Sequence, residues 1–480
     1  MNDLVILANR LPVEAGDDGT LTRSPGGLVA ALHSTAGPST RWVGWAGSGA
    51  RAGEQLADEP LLHTVPLSAE EVERYYAGFS NSVLWPLFHG RLRREDLRRS
   101  WWRSYRAVNE RFAAAAARVT PLGGMVWVHD YHLLLAPGML RTLRPDVRVG
   151  FFLHIPFPAA QMFASLPWRK ELLEGIIGAD VVGFQSQEDL DNFMAAAERV
   201  LGCTMRGQTL VHRHHAVHVA AFPISVDFAM WDVLGEQAAE AASRHRADLA
   251  VDHVFLGIDR LDYTKGILQR LRAFGELLDD GRLDAARTTF VQIAVPSRGD
   301  VPAYHQERQE VEAMVRHINI THERADGRGP VHYLATSLDP PEMAAWYRAA
   351  DVLVVTSFAD GMNLVAKEFV SARGDDGGVL ILSEFAGAAN EMGRALIVNP
   401  YDLEGLERSM LEAVRMTSDE RSERMQSMRA WVESHDVQAW AASFLERLES
   451  VAWVRSIDAP RRSLTRALRG LPIGERGARW

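Results

Sequence analysis

The sequence predicts an α/β protein built from two doubly wound domains that face each other across a cleft. Short apolar runs bounded by Gly, Pro and Asp alternate with amphipathic stretches along most of the chain. Near-continuous apolar strands separated by helices are typical of parallel sheets that are covered on both faces. Two such series follow each other, and a length of 480 residues is typical of two large domains.

The first series, residues 1–225, contains five predicted strands and three helical patterns. The strands are residues 4–8, 41–45, 125–129, 149–153 and 181–184. The helical patterns are residues 28–34, 134–143 and 188–200. Pro223 ends a strand and residues 224–227 lead into a new helix, so the boundary between the domains is placed after residue 225.

The second series, residues 226–455, repeats the alternation. Its predicted strands are residues 254–258, 289–294, 352–356, 378–382 and 395–398, and its helical patterns include residues 267–278 and 405–416. Residues 456–480 form an Arg- and Gly-rich tail. In such sheets ligands bind at the carboxyl ends of strands, near helix N-termini, so polar residues at strand exits are the first candidates for a site.

The composition argues against several classes of protein. With 52 basic and 62 acidic residues and no basic domain, nucleic acid is not expected as a partner. No run of about 18 apolar residues is present and the N-terminus lacks a basic n-region, so neither a membrane span nor a signal peptide is expected. The single cysteine, Cys203, cannot form an internal disulfide, and a cytoplasmic location is therefore expected.

Lysine is scarce in this chain. Only Lys170, Lys265 and Lys367 occur among the 52 basic residues, and all the others are arginines. A lysine that persists against such a bias marks a place where a compact, flexible ammonium is needed. Two of the three lie inside the motifs that carry most chemistry.

The strongest motif is residues 352–369, VLVVTSFADGMNLVAKEF. It predicts a strand, a tight loop at Asp360-Gly361 and a helix whose free backbone N–H groups point at an anion. Asp360 is placed to accept hydrogen bonds from sugar hydroxyls, and Glu368 to bind a ribose diol. The alternative is an N-cap Asp followed by a solvated Lys367–Glu368 pair.

A second motif, residues 255–266, places two cations before another helix. A strand ends near Asp259, and Arg260 and Lys265 follow in the loop. Two cations beside a helix N-terminus are suited to hold a diphosphate. Arg298 also follows a predicted strand and adds a third cation. The alternative is a surface loop in which Arg260 pairs with Asp262.

The first series offers further candidates, each of which has a structural alternative. Gly26 and Gly27 open a predicted helix and would let the backbone approach a phosphate or sugar closely. Polar side chains at strand ends are costly unless they are used. The remaining candidates are Arg10, Tyr76, Trp85, Asp130 and His154.

Two patterns suggest other chemistry and are set aside. Residues 47–52 fit a dinucleotide-binding glycine pattern, but the helix that should follow is cut short before Pro60. Four histidines suggest metal ligands, but no cysteine or carboxylate lies among them. They are His212, His214, His215 and His218. No metal and no cofactor is expected.

Taken together, the motifs resemble those of the trehalose-6-phosphate synthase family of retaining glycosyltransferases. The similarity runs from Leu4 to about Asp402, through residues 9–12, 26–28, 129–133, 154–158, 183–185, 259–266, 297–300 and 360–368. The resemblance implies a GT-B fold, in which two Rossmann-like domains enclose the active site. It also implies transfer of glucose from a nucleoside-diphosphate glucose to glucose 6-phosphate, giving α,α-trehalose 6-phosphate with retention by front-face attack.

The same resemblance implies a role for each matched residue. Arg260 and Lys265 would hold the donor diphosphate, and Asp130 and His154 would lie at the reacting centre. The other donor-binding residues would be Gly26, Gly27, Asp360, Gly361, Met362, Asn363, Leu364 and Glu368. The other acceptor-binding residues would be Arg10, Tyr76, Trp85 and Arg298, with Asp130 shared. A homo-oligomer is expected.

The sequence departs from the family pattern beside the strongest motif. Relatives commonly have T-P-x-R before D-G-M-N, whereas this chain has Thr356-Ser357-Phe358-Ala359. The loss of a bulky cation leads to the hypothesis that GDP-glucose is used at least as well as UDP-glucose. Two other functions remain open: a pseudo-glycosyltransferase that couples cyclitols through nitrogen, and a catalytically silent sensor of nucleotide sugars.

Overall fold

The structure is a computed structural model that describes residues 4–15, 21–23, 32, 37–47, 59–92, 96–213, 215–297 and 302–451. Two extended sheets, each covered by helices, dominate these residues. The predicted α/β class with two parallel-sheet domains is therefore confirmed. Among the described helices none is long and apolar enough to span a membrane.

The first sheet has nine strands in the order β5-β4-β1-β6-β7-β8-β11-β10-β9. Their bounds are β1 Leu4–Arg10, β4 Arg41–Trp45, β5 Leu62–Thr64, β6 Met125–His129, β7 Arg148–Phe152, β8 Val181–Phe184, β9 Thr204–Arg206, β10 Thr209–His212 and β11 His215–Ala221. In this order, the strands from β5 to β11 pair in parallel with their neighbours. Strand β10 pairs antiparallel with both β11 and β9. A separate hairpin joins β2, Val13–Ala15, to β3, Leu21–Arg23.

All five strands predicted for the first series are present, and the β9–β11 meander was not predicted. Its turns depend on left-handed backbone at Gly207 and at Arg213, where φ is 61° and 55°. His212 pairs with His215 across the second turn, so these histidines are divided between β10 and β11 and do not share one strand. His214 lies outside the described residues.

The second sheet has six parallel strands in the order β14-β13-β12-β15-β16-β17. Their bounds are β12 His253–Arg260, β13 Thr288–Val295, β14 Val331–Leu334, β15 Val352–Val355, β16 Val379–Ser383 and β17 Leu396–Val398. The five predicted strands are all confirmed with shifts of one or two residues. The short edge strand β14 was missed because only one of its four residues is buried, which gives no continuous apolar run.

Sixteen α-helices lie among the described residues. They are α1 Ala69–Glu71, α2 Trp85–Phe88, α3 Arg99–Val119, α4 Ala136–Leu143, α5 Ala160–Phe163, α6 Arg169–Ile176, α7 Gln187–Leu201, α8 Phe228–Gln237, α9 Ala239–Leu249, α10 Ile267–Asp279, α11 Pro302–Thr321, α12 Pro340–Ala349, α13 Leu364–Ala372, α14 Leu403–Arg415, α15 Ser418–Ser434 and α16 Val437–Ser450. A π-helix, Val72–Leu84, joins α1 to α2. The helix predicted at residues 28–34 lies outside the described residues apart from Leu32.

The last helix returns to the first sheet. Strands β7 and β8 each carry a glycine, Gly150 and Gly183, where a Cβ would collide with the ring of Phe444 in α16. Phe444 is fully buried and stacks on Trp127 of β6 with ring centroids 4.7 Å apart. The chain thus crosses between the sheets twice, once after β11 and once before α16. The domain limits at residues 225 and 455 stay proposals, and the tail lies outside the described residues.

Candidate active site

Polar side chains from both sheets meet at the carboxyl ends of the parallel strands. Arg10 ends β1, Asp130 follows β6, Arg260 ends β12 and Asp360 lies beyond β15. The two halves touch directly, because a Cβ on Gly361 would overlap the carbonyl oxygen of His154. The strand-exit candidates of the two sheets therefore form one candidate site, as expected for ligand binding in doubly wound sheets.

Lys265 and Asp360 form a buried ion pair at the centre of the second sheet's edge. The Nζ–Oδ2 distance is 2.5 Å, and the two side chains are 10% and 14% exposed. The same Oδ2 accepts hydrogen bonds from Asn363 Nδ2 at 3.0 Å and Ser357 Oγ at 3.2 Å. Burial alone would raise the pKa of Asp360, but Lys265 and the hydrogen bond from Asn363 hold it below its ordinary value. Asp360 is thus an ionised carboxylate with fixed orientation.

Arg260 remains available to an anion. Its Nη2 lies 3.9 Å from Asp262 Oδ2, and its side chain is 41% exposed. Asp262 is fully buried and accepts closer hydrogen bonds from Thr264 and from the hydroxyl of Tyr304. The alternative of a surface Arg260–Asp262 pair is therefore weak. The Arg260 guanidinium instead lies 5.1 Å from the Trp85 ring of the first sheet's domain.

Two helix N-termini open at the same edge. Helix α10 follows Gly266, where φ is 61° and a Cβ would collide with the carbonyl oxygen of Thr356. Helix α13 follows Asn363, where φ is 77° and the side chain accepts a 3.1 Å hydrogen bond from Ala366 N. Free N–H groups at helix N-termini attract anions, so this edge is electropositive beyond its side-chain charges.

Glu368 and Lys367 have different environments. Glu368 Oε2 accepts a 2.7 Å hydrogen bond from the hydroxyl of Tyr347, and burial raises the pKa of Glu368 to about 7. Lys367 is fully buried, with Nζ 2.7 Å from Glu391 Oε2 and 2.8 Å from the carbonyl oxygen of Ile224. The alternative of a solvated Lys367–Glu368 pair is wrong. Lys367 ties α13 to the connection between the two sheets.

The first sheet contributes an aromatic pocket around Arg10. The guanidinium lies 4.0 Å from the Trp45 ring and 5.7 Å from the Tyr76 ring. Tyr76 stacks on His132 at 5.7 Å. Aromatic faces hold the planar guanidinium in place through cation–π contacts. Neither Trp45 nor His132 was among the predicted site residues, although Trp45 ends β4 and His132 lies two residues after Asp130.

The π-helix before α2 positions Tyr76. Its neighbour Tyr75 is fully buried and donates a 2.7 Å hydrogen bond to Asn9 Oδ1 on β1. π-helical turns are rare and are frequent at functional sites. Trp85 begins the next helix, is buried, and has its ring 5.6 Å from that of Tyr131. One helical segment therefore places Tyr76 against Arg10 and Trp85 against Arg260.

Asp130 and His154 are linked through the backbone. Asp130 has a left-handed φ of 74°, and its Oδ1 accepts a 3.3 Å hydrogen bond from the amide of His154. Positive φ at a residue other than glycine is uncommon and is found at functional sites. The His154 ring contacts His129, with Nε2 3.0 Å from His129 Nδ1. Burial lowers the pKa of His154 to about 3, so the ring is neutral.

Some predicted site residues lie outside the described part of the chain. They are Gly26, Gly27, Arg298 and residues 48–52 of the glycine pattern. Among the described residues no group of three or more His, Cys, Asp or Glu is arranged to hold a metal ion.

Comparison with known proteins identifies the family. The model of glycosyltransferase family 20 matches residues 2–450. The trehalose-6-phosphate synthase of Mycolicibacterium smegmatis is 45% identical over 469 residues, covering 93% of this chain and 92% of that protein. The trehalose-6-phosphate synthase of Mycobacterium marinum is 46% identical over 474 residues, with 93% and 94% covered.

Solved structures agree with this assignment. A UDP-forming α,α-trehalose-phosphate synthase from Burkholderia xenovorans, in complex with glucose 6-phosphate, superposes with a TM-score of 0.85 at 32% identity, covering 94% of this chain and 100% of that one. An Escherichia coli trehalose-6-phosphate protein bound to UDP-2-fluoro glucose gives 0.82 at 32% identity, with 94% and 99% covered. The fold is GT-B, and the chain belongs to glycosyltransferase family 20, the trehalose-6-phosphate synthase family that its motifs indicated.

Proposed function

We propose that this chain transfers glucose from a nucleoside-diphosphate glucose to glucose 6-phosphate with retention, giving α,α-trehalose 6-phosphate. The observation that supports the proposal is that two chemically different groups of residues, one at each sheet, face each other. An edge with two helix N-termini, Arg260 and Lys265 faces an aromatic pocket around Arg10. One half is suited to a diphosphate and a sugar, and the other to a sugar phosphate.

The donor half would work by electrostatics. Arg260, Lys265 and the N-terminus of α13 would stabilise the charge that grows on the departing diphosphate, which is often the largest catalytic term. Asp360 would accept hydrogen bonds from glucose hydroxyls, with Gly361, Met362, Asn363 and Leu364 around it. Glu368, held by Tyr347, would bind the ribose. Gly26 and Gly27 keep their proposed role of binding the donor.

The reacting centre offers no free carboxylate as a nucleophile within the described residues. Asp360 forms an ion pair with Lys265, and Asp130 accepts a hydrogen bond from the backbone amide of His154. This arrangement supports front-face transfer, in which the leaving phosphate takes the proton of the acceptor hydroxyl. Relatives named trehalose-6-phosphate synthase, and solved relatives bound to glucose 6-phosphate and to UDP-2-fluoro glucose, support the same substrates here.

The test is direct. The purified protein is incubated with glucose 6-phosphate and a nucleoside-diphosphate glucose. The released nucleoside diphosphate and the anomeric configuration of the product are measured by NMR. The proposal expects a non-reducing α,α-disaccharide phosphate. Transfer to an amino-cyclitol in place of glucose 6-phosphate would establish the pseudo-glycosyltransferase alternative. Nucleotide-sugar binding without turnover of any acceptor would establish the sensor.

Removing the Arg10 side chain should weaken the binding of the acceptor, glucose 6-phosphate, more than that of the donor. We expect Arg10→Ala to raise KM for glucose 6-phosphate by about 10–100-fold, the worth of a charge-assisted hydrogen bond of about 1.5–3 kcal/mol. The donor KM should change far less, and Arg298→Ala should behave in the same way. Steady-state kinetics with each substrate varied in turn measures both constants. Equal effects on the KM values of the two substrates would show that Arg10 and Arg298 do not bind the acceptor selectively.

We further propose that GDP-glucose is used at least as well as UDP-glucose. Ala359 stands where relatives carry a bulky cation, and Phe358 packs on Tyr401 with ring centroids 4.7 Å apart. UDP-glucose is the alternative, because the Burkholderia xenovorans relative is a UDP-forming enzyme. Sites that hydrogen-bond one base edge can discriminate by about 10⁴-fold. Competition between both donors at equal concentration decides: a clear preference for UDP-glucose ends the purine hypothesis.

A further inference from the structure

A second histidine stands behind the one at the reacting centre. His129, the last residue of β6, is fully buried, and its Nδ1 lies 3.0 Å from His154 Nε2. Its ring is covered by Trp127 at 4.5 Å, and the His154 ring packs on Phe152 at 4.6 Å. These ring contacts support the mutual orientation of the two imidazoles. The pair is therefore a fixed hydrogen bond in which one imidazole donates and the other accepts.

Both rings are neutral. Burial, followed by the neighbouring His154, lowers the pKa of His129 well below its ordinary value, and burial alone lowers that of His154. Two neutral rings share one bridging proton, which leaves two arrangements. Either His129 donates from Nδ1 and His154 carries its proton on Nδ1, or His154 donates from Nε2 and His129 carries its proton on Nε2.

The surroundings favour the first arrangement. His129 Nε2 is buried and has no hydrogen-bond partner among the described residues, so the second arrangement would leave a buried N–H unpaired. Orphaned buried N–H groups are rare in proteins. His154 is partly exposed, and its Nδ1 makes no hydrogen bond within the described part of the chain. An N–H at that nitrogen is the one that a substrate can satisfy.

We propose that His129 is a positioning residue that donates from Nδ1 to His154 Nε2 and thereby fixes His154 as the tautomer with its proton on Nδ1. His154 then offers a hydrogen-bond donor to a sugar oxygen beside the Asp360–Gly361 loop, whose glycine lies against the His154 carbonyl. This inference rests on the proposed function, since it takes His154 to lie at the reacting centre. Its structural part, the tautomer, is a property of the free protein.

The tautomer is measured first, in the wild-type protein without substrates. Ring-nitrogen NMR of protein labelled with ¹⁵N-histidine distinguishes protonated from unprotonated ring nitrogens, and the His154→Gln and His129→Gln variants assign the two rings. The proposal expects a proton on Nδ1 of both rings and none on Nε2. A proton on Nε2 of His154 would overturn it, whatever the enzyme transfers.

Kinetics then tests the consequence. His129→Asn keeps an amide donor near the position of Nδ1, whereas His129→Leu removes the donor. We expect His129→Leu to lower kcat by about 10-fold or more with both KM values within about 3-fold, and His129→Asn to recover most of kcat. His218→Asn, at a partly buried histidine on β11 far from the strand exits, is the matched control and should leave kcat unchanged.

Each outcome decides something different. Equal loss in the Asn and Leu variants, or no loss in Leu, would show that His129 only fills space and would overturn the proposal. Failure of the wild-type protein to transfer glucose to glucose 6-phosphate would overturn the proposed function, but the NMR result would still decide the tautomer. If His129→Leu fails to fold, the wild-type NMR measurement and His129→Asn carry the test.

Discussion

Replacing Lys265 with alanine is expected to lower kcat/KM by at least about 10²-fold. The ammonium lies 2.5 Å from Asp360 and beside two helix N-termini, where the donor diphosphate would develop its charge. A contact of this kind strengthens in the transition state, and losing one such donor costs about 10²–10³-fold. Steady-state turnover with glucose 6-phosphate and a saturating donor measures the effect, and the thermal midpoint reports whether the variant is folded.

One further variant separates the effect of charge from that of size, and another serves as the control. Lys265→Arg should not restore activity, because a planar guanidinium does not fit a site in which the lysine side chain is 10% exposed. Lys170→Ala is the matched control, since Lys170 is an exposed residue of α6, outside the site. Wild-type kinetics from a folded Lys265→Ala protein would remove this lysine from the active site.

The sheets were predictable because their strands are almost entirely apolar. Strand β12, for example, is buried along six of its eight residues, and a run of that kind has few alternatives in a protein of this composition. The unpredicted elements are those whose stability comes from elsewhere. The edge strand β14 and the β9–β10 hairpin depend on pairing with a neighbouring strand, which local sequence does not reveal.

The site could be predicted where it follows strand ends. Arg10, Asp130, Arg260 and Asp360 are polar residues that directly end or follow apolar runs, and topology alone brings such residues together. The pairing of Lys265 with Asp360 could not be predicted, because 95 residues separate them and only adjacent parallel strands bring them within contact.

Other contacts could not be predicted from the sequence, for different reasons. His129 is the last residue of an apolar strand, and its role depends on the ring of His154, which follows the neighbouring strand β7. Tyr75 and Tyr76 are adjacent in sequence, yet the π-helix buries the first and leaves the second in the pocket. The packing of α16 on the first sheet depends on Gly150 and Gly183, because a side chain at either glycine would collide with the ring of Phe444.

Replacing Asp360 with asparagine is expected to lower kcat/KM by about 10²–10³-fold and also to destabilise the protein. The amide keeps the size of the carboxylate but neither its charge nor its acceptor strength toward sugar hydroxyls. It also leaves the Lys265 ammonium buried without a counter-charge. Breaking a buried ion pair from one side costs about 3–5 kcal/mol, and denaturant titration would detect a loss on that scale.

Combining Asp360→Asn with Lys265→Met separates the contribution of the ion pair to folding stability from its contribution to catalysis. Replacing both charges by neutral groups of similar size is often close to neutral for folding, so the double variant should recover most of the lost stability. Its kcat/KM should stay as low as in the worse single variant, because neither the diphosphate nor the sugar contact returns. A double variant that recovers activity along with stability would show that the two charges serve only the fold. One that recovers neither would show that the pair is not an isolated unit but is coupled to Asn363 and Ser357, which share the same carboxylate oxygen.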